Sequence, residues 1–216
     1  MPVGAGNSLP TIYAKIKGLK KGSKELFFEC KVKKGDTYVD YTDQVVTNIE
    51  GTLMKVEAKN YEYEGETIDY LEFLFNDGVN RIKLSLGLNG MTTGILNSLI
   101  GCESIGNVAI SIYRNAKGYP AAYVTNNGEK TEWSWDIEKL KSMVDVVKVG
   151  NKDVIDSSAR DAFLLEEIKN LKIKGEEPAK VPQASANNVV AVENVAGVDV
   201  PFAETTNHDE NDDLPF

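Results

Sequence analysis

The sequence predicts a mainly β protein: an OB-type small Greek-key barrel, then a helical annex and a disordered acidic C-terminal tail. Three observations predict it. From Thr11 to Trp135 apolar residues recur mostly at every second position, between breaks rich in Gly and Asn. One helical stretch, Met91 to Ile100, interrupts the strands where a helix plugs such a barrel, between its third and fourth strands. Residues 136–174 then turn to helical periodicity, and residues 175–216 lose every aromatic but two phenylalanines while gaining Pro, Ala, Asn, Asp and Glu. The domain reading is a flexible arm at 1–10, the barrel at 11–135, the annex at 136–174 and the tail at 175–216.

The strands follow in order. Residues 1–10, rich in Gly, Ser, Asn and Pro, read as the arm. In the first strand Ile12, Ala14 and Ile16 face one way, and Tyr13, Lys15 and Lys17 the other; in the second, Phe28, Cys30 and Val32 oppose Phe27, Lys31 and Lys33. Between Thr52 and Glu64, alternation puts Met54, Val56 and Ala58 inside and Lys55, Glu57, Lys59, Tyr61 and Tyr63 outside. Glu64-Gly65-Glu66 makes the turn. Thr67 to Phe75 puts Leu71, Phe73 and Phe75 inside and Tyr70 outside. Asn76-Asp77-Gly78 is the next hairpin signal, and Asn80 to Leu86 puts Ile82, Leu84 and Leu86 inside and Arg81 and Lys83 outside. After the helix come Val108–Arg114, Tyr119–Thr125 and Glu129–Trp135, the last with Trp133 and Trp135 on one face. Helices are expected at Asp136–Val147, capped by Asp136, and at Ser158–Lys172, capped by Ser157 or Ser158.

Composition removes several function classes. The chain holds 216 residues and no apolar run of about 18, so no transmembrane helix is expected. Its first residues lack a basic and an apolar signal region, which points to the cytoplasm. Two cysteines, Cys30 and Cys102, are too few for a disulfide framework and read as reduced core residues, with a structural disulfide as the alternative. With one histidine, His208, in the acidic end, neither a zinc site of the usual spacing nor a Ser-His or Cys-His arrangement is expected. No phosphate loop or dinucleotide fingerprint is present. The expectation is a protein that is not an enzyme and uses no cofactor or metal.

The net charge of −9 averages two unlike segments. From Gly175 onward nine acidic residues stand against Lys180, whereas the first 39 residues hold eight lysines against three acids. One outer face of the strands then carries Lys15, Lys17, Lys31, Lys33, Lys55, Lys59, Tyr61, Tyr63, Tyr70, Arg81 and Lys83. Cations track a phosphate backbone, and interleaved rings stack on bases whatever the sequence. These eleven are the candidate single-stranded-DNA-binding residues. The same alternation also occurs where Tyr–Lys pairs merely stabilise a sheet. Trp133 and Trp135 fit either packing or base stacking, and Lys20-Lys21 and Lys33-Lys34 either solvated turns or phosphate contacts. No basic helix suited to a duplex groove is apparent.

The chain's last residues read Asn211-Asp212-Asp213-Leu214-Pro215-Phe216, and Asp199-Val200-Pro201-Phe202 is an inner echo. An apolar pair on an acidic unfolded tether is a peptide ligand: Phe216 fills a pocket, and Asp212, Asp213 and the terminal carboxylate meet a basic rim. Pro215 restricts the chain and lowers the cost of ordering it. This tip resembles the carboxy-terminal peptide of bacterial single-stranded-DNA-binding proteins, with one acidic position absent. The body does not carry the bacterial family's sequence and looks like a divergent, phage-type member. The resemblance implies a protein that coats and protects single-stranded DNA in replication, recombination and repair. It implies recruitment of replication or repair proteins through Asp212, Asp213, Leu214, Pro215 and Phe216, in a bacterial cytoplasm, with the protein phage-encoded in one version, no membrane partner and a homo-oligomer open. It also implies that the acidic tail competes with DNA for the basic face.

Two rival readings are kept. A non-enzymatic phage assembly or scaffold protein with a docking tail predicts no strand binding at low salt once the tail is removed. A metal-dependent nuclease requires clustered carboxylates, and no such motif stands out.

Overall fold

A computed structural model describes residues 9–20, 23, 25–63, 65–150 and 152–173. Most of the arm, Lys21, the tail from Gly175 with His208, and the tip Asp212 to Phe216 lie outside the described residues. The chain is mainly β, as expected. Along it run β1 (Thr11–Lys17), β2 (Phe27–Lys34), β3 (Thr37–Asp40), β4 (Asn48–Tyr63), β5 (Glu66–Asn76), β6 (Arg81–Gly87), α1 (Gly90–Ile100), β7 (Asn107–Arg114), β8 (Pro120–Asn126) and β9 (Glu129–Lys130). These strands form one sheet in the order β3-β2-β1-β6-β5-β4-β7-β8-β9. Its pairings are antiparallel apart from β1 with β6, which is parallel.

The sheet bends back on itself. Phe28 bridges to Val46, just before β4, its N–H donating to the Val46 carbonyl at 2.7 Å. Arg114 at the end of β7 donates to the carbonyls of Gly18 and Lys20 in the β1–β2 connection. The inner face holds the core. Leu53, Leu71, Phe73, Phe75 and Leu84 are fully buried, with Ile12, Ala14 and Phe28 close behind. Burying each of the large side chains is worth about 1.5–3 kcal/mol. α1 packs into this core as a helix buried nearly all round, with Ile95, Leu96, Leu99 and Asn97 fully sequestered. Its start is fixed by Asn89, whose side chain accepts the Thr92 N–H at 3.0 Å.

Three expectations need correction. Met54 was expected inside, but Leu53 is the buried residue. Leu53 pairs with Phe75 and Lys55 with Leu74, so Met54 is the extra residue of a β-bulge. Before it the inward residues are Ile49, Gly51 and Leu53; after it Val56, across from Phe73, packs half-buried against the core, whereas Ala58, across from Leu71 and expected inside, is exposed and lines the groove described below. The strand expected at Glu129–Trp135 stops at Lys130. Beyond it the Asn97 side chain captures both backbone groups of Trp135, accepting its N–H and donating to its carbonyl, each at 2.8 Å. Those groups are therefore withdrawn from any ladder.

The third correction is the annex. It is not wholly helical: α2 (Ile137–Lys141) is followed by a hairpin of β10 (Asp145–Val149) and β11 (Lys152–Asp156), then α3 (Ser158–Glu167) and a 3-10 turn (Ile168–Asn170). Asp136 caps α2 as expected, accepting from Glu138 and Lys139. The run Val144-Asp-Val-Val-Lys-Val149 is too β-branched to continue a helix and pairs as a strand instead, with Gly150 turning at φ +65°. At α3 Ser157, one of the two expected caps, holds the N-cap position but makes no side-chain cap hydrogen bond: its hydroxyl donates to Asp161, while Asp156 accepts the Ser158 N–H at 2.9 Å.

Candidate nucleic-acid interface

The register places all eleven predicted residues on one face of the sheet. Tyr13 stands across from Lys31 on β2 and Lys83 on β6. Lys15 stands across from Glu29 and Ser85, and Ser85 from Glu72. Lys55 faces Leu74, Lys59 faces Tyr70, Tyr61 faces Ile68 and Tyr63 faces Glu66. Lys17, Lys33 and Arg81 continue the same alternation on β1, β2 and β6.

A groove of about 570 Å³ is cut into this face. Five of the predicted residues line it: Lys15, Lys31, Lys59, Tyr61 and Tyr70. Lys17, Lys33, Lys55, Tyr63, Arg81 and Lys83 share the face but do not line the groove. Two tyrosine pairs mark it. Tyr61 and Tyr70 meet edge to face with centroids 5.9 Å apart, and Tyr13 and Tyr38 do the same at 5.2 Å. Lys83 reaches over the Tyr13 ring, 5.7 Å from its centroid.

Tyr38 is the groove residue that alternation did not find, because no strand was expected on β3. The signal was present. Gly35-Asp36 makes the turn, with Gly35 at φ +61°, and Thr37-Tyr38-Val39 after it is strand-forming. Three acidic residues, Glu29, Asp69 and Glu72, were not foreseen as groove residues either. Glu29 lies 3.4 Å from Lys15 and 3.6 Å from Lys31, and Glu72 accepts from Lys59 at 2.6 Å. The hydrogen bond to Glu72 holds the Lys59 ammonium pKa above the ordinary lysine value. The lysines on the groove floor are therefore already matched by acid, and the floor is far less positive than a count of lysines suggests. Outside it, Lys55 pairs with Glu57 at 2.5 Å, while the Arg81 side chain is exposed.

The tryptophans divide. Trp135 packs edge-on against Phe163 of α3 at 5.5 Å, with the Lys139 ammonium 3.3 Å from its ring centre. That contact serves the junction between annex and sheet. Trp133 is 44 % exposed and lies beside Thr131, Glu132 and Ile137, away from the groove lining. Cys30 and Cys102 are free thiols, half-buried against the core rather than within it. Burial, helped by Glu29, pushes the Cys30 thiol pKa up to about 11.

Among the described residues no group of three or more His, Cys, Asp or Glu side chains is arranged to hold a metal ion, and no helix is long and apolar enough to cross a membrane. No family model, no curated protein and no solved structure matches the chain.

Proposed function

We propose that the protein binds single-stranded DNA in the groove between the two tyrosine pairs, on an OB-type barrel. The observation that carries this reading is the groove itself. Two edge-to-face pairs, Tyr13–Tyr38 and Tyr61–Tyr70, flank a cleft lined by Lys15, Lys31 and Lys59 with their carboxylate partners, on a face that also carries Lys17, Lys33, Lys55, Arg81 and Lys83 beside it. Rings set in a sheet at that spacing give platforms on which unpaired bases stack, each worth about 1–3 kcal/mol. A duplex keeps its bases stacked on one another and offers none to these rings. The order from β4 to β8, three strands, a helix and two strands, supports the OB-type barrel, as does the return of the sheet at Phe28–Val46.

Recruitment of replication or repair proteins through Asp212, Asp213, Leu214, Pro215 and Phe216 belongs to the same proposal and rests on the tip's resemblance. Coating of exposed strands and delivery of partners to them is the combined role, set in a bacterial cell.

Anisotropy titration of the full chain with labelled mixed-sequence single strands and with the matching duplex tests the groove. Salt-sensitive binding of the single strand, with the duplex much weaker, is expected. Absence of single-strand binding at low salt would leave the docking-tail reading. For the tip, Phe216→Ala is expected to leave strand affinity unchanged and to abolish capture of replication or repair enzymes by the immobilised protein. Undiminished capture would remove the recruiting role.

A further inference from the structure

We infer that Glu72 reads the base edge in the groove and gives it a preference for guanine over thymine. The inference rests on the single-strand reading above and names what that site selects.

Four side chains form a compact square on neighbouring strands. Lys59 and Tyr61 alternate on β4, Tyr70 and Glu72 alternate on β5, and Lys59 stands directly across from Tyr70. All four line the groove. Glu72 lies two residues from Tyr70 on the same face, about 7 Å along the strand. That is the distance at which a base stacked on the Tyr61–Tyr70 pair turns its hydrogen-bonding edge to the carboxylate. One oxygen of Glu72 accepts from Lys59 at 2.6 Å. The bond to Lys59 fixes its orientation and lowers the cost of keeping a charge at 14 % side-chain exposure.

The groove's electrostatics set what enters. Lys15, Lys31 and Lys59 each lie within 3.6 Å of Glu29 or Glu72, so a phosphate placed on the floor meets carboxylate as well as ammonium. Phosphates are kept to the rim and bases turn inward. Among bases a carboxylate favours adjacent donors. Guanine presents N1–H and the N2 amino group side by side, matching two carboxylate oxygens. Cytosine and adenine present one amino group beside an acceptor. Thymine presents N3–H between two carbonyls, both repelled. A well-placed carboxylate contact to a base edge discriminates by roughly tenfold or more.

The test is anisotropy with the full chain and three labelled oligomers in lithium buffer, which disfavours guanine quadruplexes. One is oligothymidylate, one carries guanine at alternate positions, and one carries hypoxanthine there, which lacks the N2 amino group. The expected result is about tenfold tighter binding of the guanine oligomer than of oligothymidylate, with most of the gain lost for hypoxanthine. In Glu72→Gln, oligothymidylate binding is kept or strengthened, because Lys59 loses its acid, while the guanine-to-thymine ratio falls towards one. Equal binding of guanine and thymine oligomers by the unaltered protein would overturn the inference and leave the single-strand function standing. A ratio unchanged in Glu72→Gln, or hypoxanthine equal to guanine, would overturn the assignment to Glu72. Failure to bind any oligomer would overturn both.

Discussion

The two faces of the sheet are made by the same strands and held by different physics. On the inner face Leu71, Phe73 and Phe75 are completely buried, and each contributes through area removed from water. On the outer face of the same β5, Tyr70 and Glu72 line an open groove, and their ion pair and ring contact are partly solvated. Exposed pairs of this kind contribute roughly 0–1 kcal/mol to stability. The inner face therefore carries the fold, and the outer face is the one free to carry the proposed binding. A substitution is expected to report which face it struck by what it changes.

The largest separation is expected from Phe73→Ala. Emptying that site costs about 3–5 kcal/mol, read as a lower midpoint in urea unfolding; a loss under 1 kcal/mol would contradict the core described for the inner face. Asn97→Ala comes next. It strips the Trp135 backbone of both partners and is expected to cost about 2 kcal/mol, with a shift in tryptophan emission; an unmoved midpoint would show that the junction does not depend on this side chain.

On the outer face, Tyr63→Ala sharpens the comparison. Tyr63 shares the face but not the groove, so strand affinity should fall by less than about threefold, where a stacking tyrosine costs about tenfold. An equal loss would move the binding path beyond the groove. Arg81→Ala should reduce the salt slope of log affinity by about 0.7, the value of one single-strand phosphate contact, without changing base preference. The smallest effect concerns Cys30. With its pKa raised to about 11, little thiolate exists at pH 8, and iodoacetamide should modify it at least about tenfold more slowly than free cysteine. Its rate should still be rising with pH above 9; a plateau below pH 9 would contradict the burial.

The sheet was legible because alternation has a period of two and one face is buried. Leu71, Phe73, Phe75, Ile82, Leu84 and Leu86 were placed correctly from pattern alone. The bulge at Met54 was not legible, because one inserted residue leaves the local alternation intact on either side and changes only its phase. The annex failed for another reason. Val146, Val147 and Val149 fit an apolar helical period and also a strand, and β-branching decided for the strand. The site was half legible. Alternation put the lysines and Tyr61 and Tyr70 on one face, but which of them share a groove depends on sheet curvature. The partnering of Lys59 by Glu72 depends on cross-strand register, which no single strand contains.

The most direct test of the account is Tyr61→Ala with Tyr70→Ala, measured for single-strand affinity and for urea midpoint on the same preparation. Affinity is expected to fall by roughly tenfold to a hundredfold, while stability moves by no more than about 1 kcal/mol. Unchanged affinity in a folded double variant would contradict the groove as the binding site and return both tyrosines to the sheet as stabilising residues.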